Sequence, residues 1–204
     1  MKKRILDKAI ELFTTYGFRA ISMGKIAREL GCSTKTLYQH YPNKTLIIKN
    51  MVEQGIELDK LFIENTDKED ILSIEKILKF KGFIHQRHLQ NLYPGMTDDL
   101  KKYEPDIYAL IETFFQNTLS VWLVKIIESG KSEGHFRENI NSNILSKYLI
   151  ELSMKSLSAK IYSHYELLAG KAYAELTENF IYGIASIKGV KFLNENFSKY
   201  FNTK

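Results

Sequence analysis

One cysteine, three prolines, one tryptophan and no long apolar run: the scarcities of this 204-residue chain are informative before its motifs are. A lone Cys32 cannot close an intramolecular disulfide and fits a reducing cytosol. A membrane-spanning helix needs about 18 or more consecutive apolar residues, and no such run exists. The basic start Met1-Lys2-Lys3-Arg4 is followed by Asp7, Lys8 and Glu11 rather than a continuous apolar core. It therefore reads as an amphipathic helix, not a signal peptide, and the expected location is the cytoplasm. Proline occurs at positions 42, 94 and 105, no hairpin dipeptide separates β-branched runs, and there is no internal repeat or low-complexity tract. The pattern is helical throughout. Nucleophile elbow, phosphate-binding glycine loop and paired-carboxylate signature are all missing, so nothing in the sequence argues for an enzyme.

What is present is a charge asymmetry. Residues 1–50 hold ten Lys/Arg against Asp7, Glu11 and Glu29, a net of +7, while the other 154 residues carry −2 of the total +5. Concentrated positive charge is the footprint of a module that meets phosphates. The same segment holds the most informative pattern. Met23, Ile26, Ala27 and Leu30 fall at i, i+3, i+4 and i+7, one face of a short helix. Gly31 follows, where a left-handed residue turns the chain, and Ser33 is placed to cap a second helix. That second helix exposes Thr34, Lys35, Tyr38 and Gln39 and ends near Tyr41, because Pro42 disfavours helical geometry in the residue before it. A helix-turn-helix with polar and aromatic tips suits insertion into a DNA major groove.

The run Arg4-Ile5-Leu6, Ala9, Leu12-Phe13, Gly17, Ile26-Ala27, Gly31, Ser33, Leu37-Tyr38, His40-Tyr41 and Lys44 resembles the signature of TetR-family transcriptional regulators over roughly the first quarter of the chain. Two positions depart from it: Gly24-Lys25, where the family carries acidic or helix-favouring residues, and Cys32, where an aliphatic residue is usual. Cys32 reads as a small hydrophobe plugging the turn rather than a redox sensor. The resemblance implies an all-helical fold, with an N-terminal three-helix helix-turn-helix domain and a larger C-terminal helical domain for dimerisation and ligand binding. The boundary is expected at 48/49, with a helix from about residue 44 linking the two. It also implies a homodimer bound to a palindromic double-stranded DNA operator, released by a small effector as the default, with no cofactor and no membrane partner. Two rivals stand beside it. One is an architectural DNA-binding dimer without an effector; the other is a helical binding or catalytic domain whose basic N-terminus is incidental.

On the second helix, Lys35 suits guanine O6 or N7 and Gln39 an adenine edge, with phosphate as the alternative for each. Thr34 joins them. Tyr38 and His40 stand where the family contacts backbone or bases. Lys44 opens the next helix, where ammonium and backbone N–H groups can meet one phosphate. Ser22, Ser33 and Thr36 are phosphate or capping hydroxyls, and Leu37 and Tyr41 are packing residues.

Further on, a long helix is expected over 69–92, closed by Tyr93-Pro94-Gly95, then a short one over 97–103 and another from Pro105 to Ser129. Residues 142–165 and 171–188 read as two more, and Val190, Leu193, Phe197 and Tyr200 give the tail amphipathic helical spacing. In 142–165, Leu145, Leu149, Leu152 and Ala159 form one stripe, with Ile150, Met154, Leu157 and Ile161 on the far side. A helix apolar on two sides needs covering on two sides. Tyr173, Leu176, Phe180, Ile184 and Ile187 form a further stripe, and pairing both helices with their two-fold mates predicts a dimer interface. For an effector pocket the candidate walls are Phe62, His88, Tyr93, Phe114, Phe115, Thr118 and Trp122, apolar with a few polar groups. They suit a largely apolar effector with a hydrogen-bonding group, neutral or weakly acidic if the histidines take part. His85 and His88 are three apart, but two ligands do not make a metal site, and none is expected.

Overall fold

The computed structural model describes residues 1–91, 95–155 and 170–201, with the backbone alone at 88–91. The described helices are α1 (Lys2–Tyr16), α2 (Met23–Glu29), α3 (Thr34–His40), α4 (Lys44–Asp67), α5 (Ser73–Asn91), α6 (Met96–Tyr103), α7 (Pro105–Phe114), α8 (Ser120–Ser132), α9 (Ser142–Lys155), α10 (Lys171–Ile184) and α11 (Ile187–Asn196). A π-turn at Phe115–Leu119 joins α7 to α8 without a break. The described residues contain no strand, only the isolated bridge between Phe136 and Ala185. No described helix is long and apolar enough to cross a membrane.

Helix starts follow from side-chain caps. Ser22, Ser33, Asn43 and Ser186 each accept a hydrogen bond from a backbone N–H three residues on, opening α2, α3, α4 and α11. Pro105 opens α7, where a missing N–H costs nothing.

Two apolar cores result. The first gathers Ile5, Leu12 and Phe13 of α1, Ile26 of α2, Leu37 of α3, Tyr41, and Ile47 and Ile48 of α4. Met96 and Leu100 of α6 and Ile107 of α7 dock onto it. The second lies among α5, α8, α9, α10 and α11, with Ile77, Phe80, Trp122, Ile126, Leu149, Ile181 and Leu193 at its centre. Helix α4 serves both: Met51 and Val52 belong to the first core and Ile63 to the second. Its 24 residues span about 36 Å at the usual helical rise. The boundary expected at 48/49 falls inside this unbroken helix.

The predicted interface stripes are placed differently. Leu149, Tyr173, Phe180 and Ile184 are buried within one chain, and Leu145 and Leu152 pack against the same core. Their second cover is this chain's own α5 and α8, a tertiary neighbour that helical spacing does not reveal. Leu176 is half-buried. Ile187 leaves the stripe because α10 stops at Ile184 and Ser186 caps a new helix. The connection from α8 enforces that break: Ser186 N donates to His135 O at 2.9 Å, and a Cβ on Gly189 would come within 2.1 Å of the same oxygen. Ile187 is left 94% exposed. Leu157, Ala159 and Ile161 lie outside the described residues. In the tail, Leu193 and Phe197 are buried and Tyr200 Oη donates to Glu75 at 2.7 Å, so α11 is amphipathic and packed.

Candidate nucleic-acid interface and interior cavity

Helix α3 has a sharp division of faces. Leu37 is fully buried and Tyr41 follows one turn later at 1% exposure, anchoring the helix to the first core. Thr34, Lys35, Tyr38 and Gln39 point away and are exposed, with Thr36 and His40 half-buried on the flanks. Gly31 turns the chain between α2 and α3 with φ +66°, a conformation that costs an L side chain about 1–2 kcal/mol. Cys32 packs, half-buried, against the first core.

The hydroxyls expected near phosphate have local partners. Ser22 Oγ accepts from Lys25 N at 3.2 Å, Ser33 Oγ accepts from Thr36 N at 3.0 Å, and the Ser33 and Thr36 hydroxyls bond each other at 2.8 Å. They hold α2 and α3 in place. Lys44 differs more from its expected part. Its Nζ donates to Phe18 O at 2.8 Å and Ile21 O at 3.1 Å, turned inward to the loop that enters α2. Burial holds this ammonium below the ordinary lysine range, partly opposed by Glu104. Of the three acids in the first 50 residues, Glu11 and Glu29 pair with Lys8 (2.5 Å) and Lys25 (2.6 Å) on the surface. Lys35 makes no ion pair among the described residues and stands exposed at the front of α3.

The second feature is interior. A cavity of about 260 Å³ lies between the two cores, walled by Ile10 of α1, Met51, Gly55, Leu58 and Asp59 of α4, Met96 and Leu100 of α6, and Ile111, Phe114 and Phe115 around the π-turn. π-turns inside helices recur at functional sites. Arg87 of α5 closes the cavity, donating to Asp59 Oδ2 at 2.8 Å and to Gly55 O at 2.9 Å. Asp59 is 6% exposed, and burial raises its carboxyl to about 6 against the opposing pull of Arg87. Thr97, Phe115 and Met154 also wall a larger, more polar groove of about 790 Å³, with Lys101, Tyr108, Glu112 and Lys147 at its sides. The groove and the more apolar cavity meet at these three shared residues.

Of the residues read as pocket walls, Phe114 and Phe115 line the inner cavity. Phe62 instead stacks on Phe83 at 4.2 Å, and Trp122 packs edge-on to Phe80 at 5.2 Å, both within the second core. Thr118 is half-buried and lines neither space. The His88 side chain and Tyr93 lie outside the described residues. Sequence reading missed Gly55, Asp59 and Arg87. The signal available was an acid and an arginine on otherwise apolar helix faces. Among the described residues no group of three or more His, Cys, Asp and Glu gathers to hold a metal.

The helix-turn-helix also connects to the cavity. Arg19 lies over the Tyr103 ring at 4.2 Å and Thr45 Oγ1 donates to Glu104 at 3.2 Å, so the α6–α7 corner touches the loop before α2 and the start of α4.

Residues 5–51 match the model for bacterial regulatory proteins of the tetR family. An uncharacterised HTH-type transcriptional regulator of Bacillus subtilis, YvaF, is 29% identical over 145 residues, covering 71% of this chain and 74% of that protein. The negative transcriptional regulator of the biofilm operon icaADBC in Staphylococcus epidermidis, IcaR, is 27% identical, covering 60% of this chain and 80% of its own length. Among solved structures, a TetR-family regulator from Agrobacterium tumefaciens superposes with TM-score 0.73 at 16% identity, over 91% of this chain and 97% of that one. With a matching family model on the very segment that forms the helix-turn-helix, residues 5–51 are a DNA-binding domain of the tetR family and the chain is a DNA-binding transcriptional regulator.

Proposed function

We propose that this regulator is a repressor that binds a palindromic operator as a cytoplasmic homodimer and is released by a small effector held in the inner cavity. The observation that carries the effector reading is the cavity's position. Its walls include α1 and α4, so its occupant acts on the helix-turn-helix through two of that domain's own elements. A ligand shifts a two-state balance only by its difference in affinity for the states. Displacing α4 moves Lys44, and with it the loop carrying Phe18 and Ile21 into α2. A two-fold dimer reads half-sites about one helical turn apart or a multiple of it, so a small change in the separation of two α3 helices abolishes simultaneous docking.

For the dimer face, α9 offers Ile144 and Tyr148, 65% and 56% exposed one turn apart, beside the edge of α10. A second copy is the occupant this reading assigns to that face, in place of the buried stripes.

Two measurements test the proposal. Lys35→Ala and Gln39→Ala are each expected to weaken binding to the DNA upstream of the gene by about 1–3 kcal/mol wherever a bidentate base contact is lost, with relaxed sequence preference in anisotropy titrations. Gly55→Leu is expected to fill the cavity, since a Cβ there meets nothing within 4 Å. The variant should hold DNA with wild-type affinity and repress a reporter constitutively. A variant that still responds to its inducer like wild type would place the effector elsewhere.

A further inference from the structure

The inner end of the cavity is an ion pair, not an apolar wall. Arg87 reaches from α5 to two successive turns of α4, bonding Gly55 O and Asp59 together. It is therefore a tether between the helix that carries the DNA-reading domain and a helix anchored in the second core. Both partners face the cavity, so an occupant with a charged end meets the tether directly.

The sign of that charge follows from what else is buried nearby. Among the described residues of the second core, Asp59 is the one buried carboxylate. Arg87 faces it from α5, and the other buried face of that helix, outside the cavity wall, carries Lys81 at 4% exposure and His85 at 3%. The Lys81 ammonium donates to the Ser153 hydroxyl and lies 4.9 Å from the Tyr173 ring, and no described carboxylate pairs with it. His85 stacks between Tyr173 and Phe201, and neither ring nitrogen has a hydrogen-bond partner among the described residues. Tyr173 stands between this group and the Asp59–Arg87 pair, within electrostatic reach of both its members. An interior with more cation-capable groups than anions favours an anionic guest.

Resting on the effector reading above, we propose that the effector is a carboxylate-bearing amphiphile whose headgroup takes Arg87 from Asp59, while Asp59 takes a proton from solvent. The ion pair Asp59–Arg87, the ligand carboxylate and one proton become a ligand–Arg87 pair and a neutral Asp59 acid; no bond other than O–H forms. A carboxylate matches the guanidinium fork as Asp59 does. A cationic guest would instead leave Arg87 charged and unpaired, since guanidinium does not deprotonate. Asp59 gives way because burial already favours its neutral form. The groups with charge or titration facing it are Arg87 from α5 and the Tyr173 phenol from α10, while the cavity residues of α1, α6 and α7 are uncharged. Once Asp59 is neutral, the α4–α5 tether is cut. The effector then acts by exchange of partners, which a side chain that only fills the space does not bring about.

The probes are the straight-chain carboxylates from hexanoate to decanoate, with the alcohols of the same length as uncharged controls. Thermal shift, displacement of operator DNA, and calorimetry in buffers of different protonation enthalpy are read on the full-length protein. Carboxylates are expected to bind with uptake approaching one proton. Their affinity should rise by up to about tenfold per pH unit as pH falls toward 6, then level off where Asp59 is already protonated. Asp59→Asn should bind carboxylates more tightly at pH 8, with no proton uptake and a flat profile. Arg87→Met should lose the carboxylates and keep the alcohols; if it does not fold, Asp59→Asn carries the test alone. Carboxylates that bind no better than alcohols, or bind without proton uptake, overturn the exchange while leaving the cavity reading intact. Neither series changing stability or DNA release overturns both. Octylamine binding in preference to octanoate would reverse the assigned charge and overturn the exchange.

Discussion

Lys44 and Lys81 are cations turned inward, and each makes a measurable demand on the fold. Lys44 donates to the carbonyls of Phe18 and Ile21, so its loss removes two hydrogen bonds that hold the loop before α2. Lys44→Met is expected to destabilise the protein by about 1–3 kcal/mol in urea melts. Its loss of DNA affinity should be recovered by conditions that restore folding, with little change in salt slope. A slope lower by about one unit in a fully folded variant would instead return Lys44 to the phosphate contact its sequence position suggests. Lys81 works against stability. Burial lowers its ammonium from 10.5 to about 7, so the unfolded chain holds the extra proton between those values. Stability from this group is lowest at and below pH 7 and recovers as pH rises toward 10.5. Lys81→Met is therefore expected to be more stable than wild type by roughly 2–4 kcal/mol at pH 6–7. The gain should shrink on approach to pH 10. A gain independent of pH would mean that the charge is not its source. A destabilising group in a core is the kind of feature that function retains.

At the scale of elements, the turn between α2 and α3 allows backbone strain and capping to be separated. A Cβ on Gly31 meets nothing within 4 Å, yet its φ is +66°. Gly31→Ala is thus expected to cost about 1–2 kcal/mol from conformation alone. Ser33→Ala removes the hydroxyl that accepts from Thr36 N and should cost about 1 kcal/mol. Both are read from melting midpoints, and both should weaken operator binding by loosening the start of α3 rather than by removing a base contact. Near-additive losses in the double variant are not expected, because the two act on one turn. The same logic of caps explains why the stripe through Ile184 and Ile187 does not continue. Apolar spacing survives across Ala185, but Ser186 offers a better start to a new helix than the interior of an old one.

For the whole molecule, the decisive quantity is which apolar faces a single chain leaves uncovered. Phe180 and Leu149 are internal, so Phe180→Asp or Leu149→Asp should unfold the protein. Ile144→Asp and Tyr148→Asp, on exposed positions of α9, should instead give folded monomers. Light scattering of wild type at micromolar concentration is expected near twice 23.7 kDa; a wild-type mass near the single value would count against the dimer, and folded Phe180→Asp dimers would restore the buried stripe as the interface.

The sequence by itself determined the helical class and the helix-turn-helix. Every signal for them is local: apolar residues three and four apart in α2, a glycine at the turn, Ser33 at the cap and Pro42 at the stop all act within one or two helical turns. The exposed face of α3 followed from the same spacing, and so did the amphipathic pattern of the tail, whose packing the tertiary structure decided. Tertiary structure alone decided the cavity, the tether and the uncovered faces. An aromatic at helical spacing looks the same whether it fills a core, as Phe62 and Trp122 do, or walls a space, as Phe114 and Phe115 do. Gly55, Asp59 and Arg87 come together across 28 to 32 residues of chain. Their meaning depends on which helix faces which. Periodicity fixes the angle of a residue about its own helix axis but carries no information on the neighbour that meets it. Lys44 shows the same limit at a single residue: its position at a helix start was legible, and the carbonyls that turned it inward came from a loop folded back over 23 to 26 residues.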